Sequence, residues 1–286
     1  VTTMEYLFSE ATSFNQNINN WDVTQVTNMS GTFRYTSRFD QPLNSWVVNN
    51  VTDMSGMFQG SSFNQPIANW IVDNVTNMRG MFRESLFNQP IEIWNVSNVT
   101  DMSEMFMRHR TYNHPLNEWD VSNVTNMASM FDGWIWGAIY NQPLDEWEVG
   151  NVTDMNYMFR DNSAFNQDIS GWDVSNVTDM SGMFQQADSF NQNLNGWDVD
   201  NVTDMSNMFQ QAILFNQPLD DWNVSNVTDM SEMFYAALVF NQPLNSWNVI
   251  QVTNMDNMFS SNPVLNKSSN NWTTDNATRM ENMFNA

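Results

Sequence analysis

Cysteine is absent from the 286 residues. That excludes a disulfide framework, a thiolate metal site and a cysteine nucleophile. Basic residues are scarce: 9 Lys and Arg stand against 32 Asp and Glu, a formal net charge of -23. A chain so acidic repels phosphate, so nucleic acid is not an expected partner. Anionic membrane surfaces are disfavoured for the same reason. The charge keeps an apolar-rich chain soluble and opposes self-association. Histidine occurs twice, at His109 and His114, with no third residue spaced to complete a metal site. No apolar run approaches the roughly 20 residues of a membrane-spanning helix, and no signal peptide is visible. The chain opens on Val1 rather than Met, which reads as a processed or partial chain with any leader or anchor outside it. The sequences G-x-S-x-G, H-E-x-x-H, the P-loop and the dinucleotide fingerprint are all missing, so an enzyme is not expected.

What is present is repetition. Tryptophan sets the period, at Trp21, Trp46, Trp70, Trp94, Trp119, Trp147, Trp172, Trp197, Trp222, Trp247 and Trp272. Three further markers keep the same beat of about 25 residues: V-T-x-M (Val51-Thr52-Asp53-Met54), Met-Phe (Met57-Phe58) and F-N-Q (Phe240-Asn241-Gln242). Length changes fall only between Met-Phe and F-N-Q, which marks that interval as a surface loop. Within a unit, Leu219, Trp222 and Val224 illustrate L-x-x-W-x-V. Trp and Val two apart share one face of a strand, so this segment is expected as a short parallel strand. Met54, Met57, Phe58 and Ser61 follow at i, i+3, i+4 and i+7, the spacing of one helical face. A short helix is expected there, with Thr52 as its N-cap and Asp53 in its first turn.

The expected fold is an α/β repeat solenoid of about 11 rungs, each one strand and one helix, forming a single domain over residues 1–286. Residues 1–20 read as an N-terminal helical cap or a partial rung. Residues 261–286 read as a degraded rung, in which Leu265-Asn266-Lys267-Ser268-Ser269 replaces F-N-Q-P-L; either the rod ends in a polar cap near Ala286 or the chain is cut there. One buried Trp removes roughly 150–250 Å² from water, about 4–6 kcal/mol gross. Stacked rungs can therefore hold together where one unit could not.

The phrase W-D-V-S-N-V-T-D-M-S-x-M-F, nearly intact at Trp172–Phe184 and Trp222–Phe234, resembles the repeats of BspA-like leucine-rich-repeat surface proteins. That resemblance implies a leucine-rich-repeat-like solenoid with a parallel sheet along one face. It also implies an extracellular or cell-surface location and roles in adhesion.

Candidate contact residues come from departures from the repeat. The insertion Asp132-Gly133-Trp134-Ile135-Trp136-Gly137 has no counterpart in other units. Trp134, Ile135 and Trp136, with Arg108 and Arg110 one rung earlier, combine the residue types that dominate binding hot spots. Aromatic platforms also suit sugar rings. His109 and His114 are expected as rim contacts beside them. Val47, Ile71 and Ile93 would lie exposed on the sheet face, a contiguous apolar surface. Glu148, Asp173 and Asp198 would form an acidic ladder along the same face. Calcium between those rungs is the one cofactor that such carboxylates invite, but no D-x-D-x-D-G loop specifies it, and the expectation is that none is bound. Asn50, Asn74, Asn98, Asn123, Asn151, Asn176, Asn201 and Asn226 each precede Val-Thr; the simpler reading is structural, since Asn tolerates a turn conformation, and in a secretory setting the same triplets are N-glycosylation sequons. The expected function is non-enzymatic binding to protein or glycan at a cell or matrix surface. The alternative is a structural subunit that self-associates end to end into a fibre or surface layer.

Overall fold

A computed structural model of the chain describes residues 1–267 and 271–285. Successive units stack as rungs, but each rung is built from turns. Among the described residues the only helical segment is one 3-10 turn at Trp134–Trp136, and there is no extended sheet. This overturns the expected α/β solenoid with a strand and a helix per rung. No helix among the described residues is long and apolar enough to cross a membrane.

The rung from Phe165 to Phe190 shows the construction. The Trp172 N–H donates to the Ile169 carbonyl at 3.1 Å, and the Val177 N–H to the Val174 carbonyl at 2.9 Å. L-x-x-W and V-x-x-V are thus two consecutive reverse turns, where a strand was expected. Parallel pairing recurs at one residue per rung, the third of V-T-x-M, running from Asp154 through Asp179 and Asp204 to Asp229 and onward in both directions, with one further bridge at Ala138–Asn162. There the Thr178 N–H reaches back to the Thr153 carbonyl, and the Met180 N–H reaches forward to the Asp204 carbonyl.

After this bridge the backbone alternates between two uses of its N–H groups. Those of Gly182, Phe184 and Gln186 donate to carbonyls of the next rung at 2.8–2.9 Å, while those of Met183 and Ala187 close turns onto Met180 and Phe184. An α-helix needs every N–H on the carbonyl four residues back, so a helix cannot form here. The alternation requires left-handed backbone at two places per rung. Gly182 has φ +59° and Gln186 φ +57°, and Gly56, Gly60, Glu104 and Arg108 repeat the pattern in other rungs. Side chains at such positions cost of order 1–2 kcal/mol each, which the bonds to the neighbouring rung offset.

Met54, Met57, Phe58 and Ser61 do all point inward and are buried. Closing a turn every three residues puts the same side chains on one face as a helix would. Thr52 is not an N-cap: its hydroxyl donates to the Thr27 carbonyl of the rung before at 3.2 Å. Asp53 does the local capping instead, accepting the Ser55 N–H at 2.8 Å. Residues 1–20 contain no helix. Tyr6 and Glu10 repeat the left-handed positions, and Thr3 bridges to Asn28, so this stretch follows the rung pattern. At the other end, Asn254 bridges to Arg279 and the Ala277 N–H closes a turn onto Thr274 at 3.0 Å. Ser268, Ser269, Asn270 and Ala286, included in the expected degraded rung and polar cap, lie outside the described residues.

Indoles tie the rungs together. Trp172, Trp197, Trp222 and Trp247 donate Nε1–H to the carbonyls of Leu144, Ile169, Leu194 and Leu219 at 2.8–3.1 Å, each acceptor lying one rung earlier. Neighbouring rings lie nearly parallel, Trp172 and Trp197 with centroids 6.4 Å apart. The F-N-Q motif adds a second tie. Asn166 Oδ1 accepts the Asn191 N–H and the Gln192 side-chain amide, both at 2.9 Å.

Each loop is closed either by a capping side chain or by a backbone carbonyl. In the five-residue loops Ser61 and Ser85 accept the N–H of Phe63 and Phe87 with their hydroxyls at 3.1 Å. In the regular six-residue loop, Phe190 donates to the Ala187 backbone carbonyl. His109 occupies the serine position and accepts the Tyr112 N–H on Nδ1 at 3.2 Å. It is buried, not a rim contact, and burial lowers its pKa to about 4, against the opposing pull of the Phe87 backbone. His114 is half-buried, with Nε2 3.1 Å from the Asn88 carbonyl.

Two predictions follow from this packing. Trp197→Phe keeps an aromatic ring in the stack but removes one of the two donors to the Ile169 carbonyl, leaving the Trp172 N–H. A loss of about 1–2 kcal/mol is expected from the lost bond and the smaller buried ring, read as a lower urea midpoint, whereas Trp21→Phe, at an exposed indole, should change it little. His109 is neutral when folded and takes up a proton when unfolded below its ordinary value of about 6.5. Its contribution is complete above that value and is lost as pH falls toward about 4. Between about pH 7 and about pH 5 it should remove about 2 kcal/mol from the native chain. His109→Ala, the residue of the regular loops, should be less stable at neutral pH but should lose that much less on acidification; equal losses in the two proteins would contradict this origin.

Candidate functional site

The insertion builds a site because it must be anchored. Its first residue, Asp132, is fully buried and holds Arg160 through both carboxylate oxygens, at 3.0 Å from Nε and 2.5 Å from a terminal nitrogen. Burial raises the Asp132 pKa, and the Arg160 guanidinium opposes that shift. Asp132 also accepts the Trp134 N–H at 2.7 Å. Gly133 passes so close to the next rung that a Cβ there would lie 2.3 Å from the Asp161 carbonyl oxygen and 2.4 Å from the Ala138 nitrogen. Only glycine fits. Gly137, at φ +69°, turns the chain back, and Ala138 rejoins the stack by a parallel bridge to Asn162.

Between these anchors Trp134, Ile135 and Trp136 form the 3-10 turn and project outward, 37%, 78% and 54% exposed. Trp134 meets two guanidinium groups, Arg108 at 4.9 Å from the rung before and Arg160 at 4.0 Å from the rung after. Arg110 lies 4.4 Å from the Trp136 ring centre. Cation–aromatic pairs of this kind contribute about 0.5–1 kcal/mol each at exposed sites, and three of them fix the turn. Arg108 also pairs with Glu84 at 2.7 Å. The expected grouping of Arg108, Arg110, Trp134, Ile135 and Trp136 is therefore one surface. Asp132, Arg160, Glu84 and exposed Leu86 belong to its surroundings, and the sequence reading did not find them. Asp132 had a signal: it is the acid that opens the insertion.

The other sequence candidates are dispersed. Val47, Ile71 and Ile93 are exposed, but Ile93 lies on a turn, Val47 and Ile71 lie between turns, and none is on a sheet face. Ile93 precedes its Trp whereas Val47 and Ile71 follow theirs, so they do not form one row. Glu148, Asp173 and Asp198 are exposed as well. Asp173 and Asp198 fold back onto their own turns, accepting the Ser175 and Asp200 N–H groups at 3.1 Å. Hydrogen bonds from the Ser175 hydroxyl and N–H lower the Asp173 pKa. Among the described residues no group of three or more His, Asp or Glu is placed to hold a metal ion. The sequon asparagines have a structural use. Asn50, Asn74, Asn98, Asn123, Asn151, Asn176, Asn201 and Asn226 all donate Nδ2–H to a backbone carbonyl of the preceding rung at 2.7–2.8 Å.

Comparison with known proteins corrects the family reading. No curated protein matches the chain. One family matches in four consecutive stretches, residues 1–85, 60–135, 136–212 and 193–286, where the resemblance pointed to BspA-like leucine-rich repeats. Those stretches run the length of the chain, which belongs to the family described as Mycoplasma protein of unknown function, DUF285.

Proposed function

We propose that this chain is a non-enzymatic binding protein whose contact site is the Trp134–Trp136 turn, with a glycan or a protein surface as its partner. One observation carries the reading. Two tryptophans that do not join the core are held outward by a buried ion pair and three arginine contacts. An ordered, exposed aromatic pair is preorganised for contact, so little conformational entropy is lost on binding. The remaining rungs serve as the frame that fixes it. Placement at a cell surface drew on the leucine-rich-repeat resemblance and has lost that support; binding draws on the geometry of the turn.

The test is a panel of oligosaccharides and purified extracellular-matrix proteins, screened against the native chain, Trp136→Ala and Trp21→Ala. Trp21 is an exposed indole far along the stack. A ligand that binds the native chain and Trp21→Ala, and binds Trp136→Ala at least tenfold more weakly, is the expected result. Ligands indifferent to Trp136→Ala, or none in the panel, would overturn the assignment.

A further inference from the structure

Beside the turn lies a cavity of about 350 Å³, lined by Glu84, Ser85, Leu86, Arg108, Arg110, Thr111 and Trp136. Its volume suits one or two sugar rings, at the lower end of the usual range for small-ligand sites. Its lining mixes an aromatic ring, an aliphatic side chain and groups that form hydrogen bonds. Leu86 is 62% exposed there, a large apolar side chain beside the Trp136 ring in the cavity wall.

The charges give the cavity its chemistry. Arg79, Arg83, Arg108, Arg160 and Arg279 each have a carboxylate within ion-pair distance. Arg110, exposed on the cavity rim, has none among the described residues, as Arg34 and Arg38 have none elsewhere, although the chain carries 32 acidic side chains. It rests on Trp136 instead. A guanidinium held against an indole keeps its N–H edge free, and that edge matches a carboxylate in two parallel hydrogen bonds. Arg108 adds a second positive charge to the wall, and Glu84 offers oxygens to hydroxyl donors. The site therefore carries local positive charge on a molecule whose overall charge would repel an anion. Screening confines that repulsion to about 8 Å at physiological salt, so the nearby arginines decide what enters.

Resting on the binding role assigned above to the turn, we infer that this cavity takes a glycan bearing a carboxylated sugar, with the sugar ring against Trp136 and its carboxylate on Arg110. A neutral sugar would leave the Arg110 edge unmatched. A small carboxylate without a ring would forgo the indole and Leu86.

Calorimetric titration with a glucuronate tetrasaccharide and with the same oligosaccharide after reduction of its carboxyl groups tests this, alongside sialyllactose and lactose as a second acidic and neutral pair. Each acidic member should bind at least tenfold more tightly than its neutral counterpart in at least one pair. Arg110→Gln should remove that preference while leaving the weak neutral binding in place. Arg79→Gln, outside the cavity, should leave the preference intact. Equal binding of acidic and neutral members, with both lost in Trp136→Ala, would overturn the carboxylate assignment and leave the turn as a glycan site. An acidic preference unchanged by Arg110→Gln, or no binding of any of the four saccharides, would overturn the inference. If ligands from the wider panel ignore Trp136→Ala, it is the binding role of the turn that fails.

Discussion

An indole N–H that crosses to a carbonyl of the rung before is the bond on which the architecture depends. A turn-built rung has no strand to carry a continuous ladder and no helix to satisfy its own backbone. Its Leu-position carbonyl accepts one N–H from its own turn, and its second lone pair, tucked behind the next Trp, would be left without a donor. Each such buried hydrogen bond contributes about 0.5–1.5 kcal/mol net. The tryptophan supplies that donor and also buries its ring against the next indole, as Trp222 does on Trp247 with centroids 6.4 Å apart. Phenylalanine could do only the second. The requirement recurs at every rung, which accounts for a tryptophan period that survives loops of different length.

The inward pattern was legible in the sequence, and the backbone that produces it was not. Val174, Val177, Met180, Met183, Phe184 and Ala187 are all buried, as their spacing suggested. Spacing reports which side chains share a face, not which carbonyl each N–H finds. A chain that closes turns every three residues and lends alternate N–H groups to its neighbour imitates the i, i+3, i+4, i+7 signature. The clue lay in the positions between. Gly31, Gly56, Gly80 and Gly182 recur two residues after the Met of V-T-x-M, where a helix would suffer from glycine and left-handed backbone favours it. The same oversight made the repeat look like a leucine-rich one, whose strand it lacks.

At the site, sequence reasoning worked where a residue broke the repeat and failed where it kept to it. Trp134 and Trp136 stood out because no other rung has them. Arg160 sits at an ordinary position of an ordinary rung, and nothing in the sequence marks it as the partner of Asp132. Leu86 was hidden in a loop that differs from its neighbours by one residue. His109 looked like a surface group because it lies between two arginines, yet it fills the slot that Ser61 and Ser85 fill elsewhere. Only the register of the stack reveals that equivalence.

Hydrogen exchange of the indole Nε1–H groups, followed by NMR on the nitrogen-labelled chain, addresses the central bond directly. The account predicts two classes. The Nε1–H groups of Trp46, Trp70, Trp94, Trp119, Trp147, Trp172, Trp197, Trp222 and Trp247, buried and bonded to the rung before, should exchange orders of magnitude more slowly than those of exposed Trp21, Trp134 and Trp136. A single fast class, with Trp172 and Trp222 as labile as Trp21, would contradict it.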